Sequence, residues 1–86
     1  MYSFSDRIYT LEHSKAPRGR GRWGFLIMRP YEGISPEQVI FTEGKDEIGT
    51  VFWIPGNLTL TEAKREAKKL LKAAGVPEIL TIYVAP

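Results

Sequence analysis

The sequence predicts a small α+β domain, an antiparallel sheet of four to five strands with one amphipathic helix packed on one face. Three observations predict it. The 86 residues fit a single core, 43% of them are apolar, and one helical stripe near the C-terminus stands among short runs of β-formers. The expected order is β-β-β-β-α-β, with 1–86 as one domain and 13–22 as a flexible basic loop.

The helix has the clearest signals. Thr59-x-x-Glu62 is a capping-box pattern, in which the threonine hydroxyl caps the Glu62 amide and the carboxylate returns to the Thr59 amide. Leu60, Ala63, Ala67, Leu70, Leu71 and Ala74 recur at helical spacing on one stripe. Gly75 suits the left-handed residue past the end, Val76 can touch Leu71, and Pro77 prevents continuation.

The strands are read from alternation and from breakers. Arg7–Leu11 is expected as a strand from Ile8, Tyr9 and Leu11. Trp23–Arg29 follows, with Trp23, Phe25 and Ile27 on one face and Leu26 and Met28 on the other, and Pro30 ends it. Val39–Thr42 and Thr50–Ile54 flank a seven-residue hairpin loop, residues 43–49, carrying two glycines and four charges. Pro55-Gly56-Asn57 reads as a turn, and Ile79–Val84 as the last strand. Phe52 and Trp53 are adjacent and must point to opposite faces. One of them should therefore face away from the helix, unless the 30–38 loop folds over that side.

Composition narrows the function classes. Without cysteine the chain has neither disulfides nor thiolate-bound zinc. Its longest apolar run, Phe25–Met28, is far short of the roughly 20 residues that span a bilayer, and its first residues lack a signal-peptide pattern. No membrane partner and a cytoplasmic location are expected. His13 is the sole histidine, and neither a phosphate-binding loop nor a calcium-loop pattern is present, so a non-catalytic role without metal or cofactor is expected. A small ribonuclease built from Arg, Lys, Tyr and His13 is the enzymatic alternative, because such sites are recognised by geometry.

Charge is distributed in blocks. Lys15, Arg18, Arg20, Arg22 and Arg29 occur without an acid among residues 15–29; Glu32, Glu37, Glu43, Asp46 and Glu47 face only Lys45 among 32–48. The helix then carries Lys64, Arg65, Lys68, Lys69 and Lys72 on one arc, against Glu62 and Glu66. Three like-charged pairs four residues apart disfavour that arc by roughly 0.2–0.5 kcal/mol each, which a purely structural helix would avoid.

These blocks support a nucleic-acid reading. Arginine forks match phosphate, glycine lets the backbone approach a polyanion, and Trp23 directly after Arg18-Gly19-Arg20-Gly21-Arg22 offers a stacking face. The expected contacts are Lys15, Arg18, Arg20, Arg22, Trp23, Lys64, Arg65, Lys68, Lys69 and Lys72, provided the loop and helix form one cationic surface. The alternative is a protein-binding adaptor or inhibitor that uses an aromatic sheet face or edge, Phe52 and Trp53, with the acidic hairpin Glu43, Asp46 and Glu47. A homodimer through a sheet edge is a further option.

Overall fold

A computed structural model describes residues 2–86. The order is β1 (Ser3–Ser5), α1 (Arg7–His13), β2 (Arg20–Ile27), β3 (Gln38–Glu43), β4 (Asp46–Thr59), α2 (Leu60–Ala73) and β5 (Thr81–Val84). The strands form one sheet in the order β1-β5-β2-β4-β3. β1 runs parallel to β5 and every other neighbour is antiparallel, so the sheet is mixed and not purely antiparallel as expected.

The α2 signals all act as read. Thr59 Oγ1 accepts from the Glu62 amide at 3.3 Å, and the Thr59 amide donates to Glu62 Oε1 at 3.0 Å. At the far end the Val76 amide donates to the Leu71 carbonyl at 3.0 Å and the Gly75 amide to Lys72 at 3.1 Å, with Gly75 at φ 75°. This is the Schellman pattern, and it places Val76 in the core beside Leu71.

The expected strand over Arg7–Leu11 is instead the seven-residue α1. A helix brings Tyr9 and His13 onto one side, with their rings 4.3 Å apart, and sets Tyr9 6.2 Å from Trp23. Leu11 then projects into solvent, 74% exposed. Burial of one aromatic face outweighs the modest β preference of Ile8, Tyr9 and Leu11.

Two expected loops are shorter than read. The β3–β4 hairpin turns through Gly44-Lys45 alone, with Gly44 at φ 63°, and Glu43 pairs directly with Asp46. The surplus falls into a register shift beside Ile48. Pro55-Gly56-Asn57 is not a turn between elements, because β4 runs on to Thr59 and pairs with an earlier start of β2, Arg20↔Thr59 and Gly21↔Leu58. Pro55, Gly56 and Asn57 together oppose the single residue Arg22, and Gly56 at φ 106° absorbs the kink. The 13–22 loop therefore ends before Arg20. The last strand loses Ile79 and Leu80, which precede β5.

Alternation assigns the faces. Phe25 pairs with Phe52 and Val84, and Ile27 with Thr50, so these side chains share one face with Trp23, Ile54 and Ile82. They are buried there beneath Ala63, Ala67 and Leu71 of α2. The 30–37 connection joins the same layer. Ile34 is buried, and the Tyr31 amide donates to Thr50 Oγ1 at 2.8 Å. Gln38 fastens this connection, accepting from the Ile34 amide at 2.7 Å and donating to the Tyr31 carbonyl. The long loop thus covers mainly the α2 side of the sheet, and reaches the opposite face only through Glu37, paired with Arg22 over Trp53.

Replacing Thr59 with alanine removes the hydroxyl that holds the first turn of α2. The expected cost is about 1 kcal/mol, a fall in Tm of roughly 4–8 °C, measured by a circular-dichroism melt.

Candidate interaction surfaces

The face turned away from α2 carries an apolar patch. Leu26 comes from β2 and Met28 from just past its end, Val39 and Phe41 from β3, Val51 and Trp53 from β4, and Tyr83 from β5. The pairs Leu26↔Val51, Leu26↔Tyr83, Val39↔Val51 and Gly24↔Trp53 place them in adjoining positions. Met28, Val39 and Phe41 are 56%, 55% and 47% exposed, and the other four are half-buried against one another. Ser3, Ser5 and Thr81 continue the face as a polar margin toward β1.

Trp53 is held in place by its neighbours. A Cβ on Gly24 would lie 2.7 Å from two of its ring carbons, so the indole lies across the bare backbone of a glycine. The Arg22 guanidinium sits over the ring, 4.7 Å from its centroid, and pairs with Glu37 at 3.2 Å. The register shift at Arg22 delivers this residue over Trp53. Phe52, the other aromatic of the pair, is completely buried under α2 and offers no contact surface, a correction to the expected site.

The basic residues line two cavities, and Glu62 lies within the influence of both Arg20 and Arg65. Arg18, Arg20 and Arg22 border a cleft of about 310 Å³ with His13, Trp23 and Trp53. Arg65, Lys68, Lys69 and Lys72 surround a separate cavity of about 430 Å³ with Tyr2 and Glu78, and the two share no lining residue. Acids intervene. Arg20 pairs with Glu62 at 3.3 Å, Lys69 with Glu66 at 3.3 Å and Lys72 with Glu78 at 3.9 Å. Lys64 and Lys68 hold their ammonium groups 5.7 and 5.9 Å from the Phe4 ring, and Lys15 is exposed outside both cavities.

Trp23 is not the open stacking face that the sequence suggests. It is buried, and its Nε1 donates to the Leu58 carbonyl at 2.7 Å. The acidic hairpin is at the exposed β3–β4 tip, where Glu43 directly opposes Asp46 and Thr42 opposes Glu47. Like charges facing each other across a ladder destabilise it.

Three titratable groups are perturbed, Glu62, Tyr2 and Glu78. The amide and hydroxyl of Thr59 hydrogen-bond the Glu62 carboxylate and hold it below its ordinary range against some desolvation, with Arg20 and Arg65 adding to the effect. Burial pushes the Tyr2 phenol up, reinforced by Glu78 and Tyr31, and its hydroxyl donates to the Val76 carbonyl. Among the described residues no group of His, Asp or Glu is arranged to hold a metal ion, and no helix is long and apolar enough to cross a membrane.

Together these features define a two-layer α+β fold with one sheet face covered and the other open. The chain matches no protein-family model, no curated protein and no solved structure.

The Glu62 shift has a definite sign. Its folded pKa lies below its unfolded value, so the stabilisation is present above about pH 4.5 and is lost as pH falls through the folded value. Glu62→Gln keeps a capping-box side chain but removes the titration. Thermal melts from pH 2 to 7 should show a shallower acid limb for the variant than for the parent.

Proposed function

We propose that this chain is a protein-binding module whose contact surface is the open face of its sheet. The observation that carries this reading is the run of adjoining apolar side chains across β3, β4, β2 and β5, of which Met28, Val39 and Phe41 are about half exposed. Apolar patches of this kind mark association sites on small proteins. Trp53, Tyr83, Met28 and Arg22 belong to the residue types enriched in contact hot spots, and the polar margin resembles an interface rim. The nucleic-acid reading ranks second because acids interrupt the basic groups, Glu62 pairing with Arg20, Glu66 with Lys69 and Glu78 with Lys72.

Size indicates how such a partner would sit. Four strands about 4.8 Å apart and five residues long at about 3.3 Å per residue give a plan area of roughly 300 Å². A standard interface buries about 800 Å² on each partner. The patch is therefore the centre of a contact that must extend further. Exposed Ile48 and the acidic tip Glu43, Asp46 and Glu47 adjoin Phe41 at one end, and the Arg22–Glu37 pair adjoins Trp53 at the other. A second copy of this chain, whether face to face or along the β3 edge, would appear as a dimer by analytical ultracentrifugation.

Met28→Asp with Phe41→Asp should leave the Tm within a few degrees of the parent, because both side chains are already half exposed. Immobilised parent protein should capture a nuclease-resistant partner from native lysate, or self-associate, and the double variant should lose at least tenfold of that binding. Equal binding by the variant, or release of the partner by nuclease, would contradict the proposal.

A further inference from the structure

The cleft at the start of β2 has a composition unlike the rest of the surface, and the sheet-face reading uses only its Arg22 and Trp53. Three guanidiniums, from Arg18, Arg20 and Arg22, meet His13 and the indoles of Trp23 and Trp53 around about 310 Å³. We infer that this cleft binds a single nucleotide unit of a single-stranded nucleic acid, with its phosphate held by the arginines and its base against the aromatic wall.

Several separate features fit that ligand. The volume falls at the lower end of the range for small-molecule sites, room for one nucleotide and not for a duplex. Gly21 and Gly24 line the cleft, and a Cβ at Gly21 would meet nothing within 4 Å, so a phosphate can come close to the backbone there. Among the described residues Arg18 has no ion-pair partner. Arg20 and Arg22 are paired with Glu62 and Glu37, but more than half of each arginine side chain is exposed. Such solvated pairs are weak and exchange a carboxylate for a phosphate readily, and arginine suits the bidentate geometry of either.

The aromatic wall supplies the second half of the recognition. Trp23 is fixed by its hydrogen bond to Leu58 and presents a border of the cleft, not an open face. Trp53 has one side on Gly24, and its ring already carries the flat guanidinium of Arg22. A base entering here would replace or extend that stack, an exchange of one planar π-contact for another. Tyr9 and His13 close the wall from α1 with their rings 4.3 Å apart. The element that appeared in the sequence as a loose basic loop is thus partly a strand edge that builds a cleft.

The test uses intrinsic fluorescence, because Trp23 and Trp53 are the chain's two tryptophans and both border the cleft. The probes are a short oligothymidylate, a short oligouridylate, a nucleoside monophosphate and inorganic phosphate. Binding of an oligonucleotide should quench the emission, and affinity should fall roughly two- to threefold between 50 and 200 mM salt for the one phosphate held. The monophosphate should compete well and inorganic phosphate at least tenfold less well. Arg18→Ala with Arg20→Ala should lose at least tenfold in affinity, and Lys45→Ala, in the distant hairpin turn, should lose none, with circular dichroism confirming the fold of each. Absence of quenching by every probe at low salt, undiminished binding by the double arginine variant, or equal competition by phosphate and monophosphate would each overturn the inference.

Discussion

The packing of α2 against Phe25 and Phe52 is the contact on which the rest of the molecule depends. Their rings lie 5.7 Å apart on neighbouring strands, and Phe4 meets Phe25 edge-on at 5.5 Å. The helix surface above them is built from Ala63, Ala67 and Leu71, so two small residues let its backbone approach the rings closely. A fourteen-residue helix is about 21 Å long. It can cover one face of a five-stranded sheet and no more. Because side chains alternate, the same strands that supply this core must send Leu26, Val51, Trp53 and Tyr83 the other way. The open face follows directly from the way the core is made.

A second device sets the two candidate surfaces beside each other. Three residues of β4 oppose Arg22 of β2, and the resulting kink turns the arginine over Trp53. Gly24, two pairs along, leaves the indole room to lie flat. Trp53 consequently belongs both to the apolar sheet face and to the arginine-lined cleft. Occupancy of either surface would alter the same indole, a physical route for one partner to influence the other.

How much of this was legible in the sequence varied with the kind of signal. The whole of α2, from Thr59 to Val76, was readable because cap, stripe and stop are local and mutually consistent. The opposite facing of Phe52 and Trp53 was readable from alternation alone. What failed was whatever required a distant partner. Ile8, Tyr9 and Leu11 suit a strand until Trp23 offers Tyr9 a place to pack. Pro55-Gly56-Asn57 has turn chemistry, but pairing of Thr59 with Arg20 makes it a bulge in a longer strand. The site residues divide in the same way. Arg18, Arg20, Arg22 and Trp23 do gather around one cleft, but Trp23 is packed into the core and its Nε1 is satisfied by the Leu58 carbonyl, a distant partner no local pattern announces. Val39, Phe41 and Tyr83 passed unnoticed as surface residues, since only the path of the 30–37 connection decides which face stays open.

That one-sidedness can be observed directly by methyl NMR in the presence of a soluble paramagnetic agent. The methyls of Met28, Val39, Leu26 and Val51 should broaden strongly, while those of Ile27, Ile54, Leu71, Ile82 and Val84 stay sharp. Equal protection of the two sets in the monomer would contradict the account, because it would mean that something covers the face described here as open.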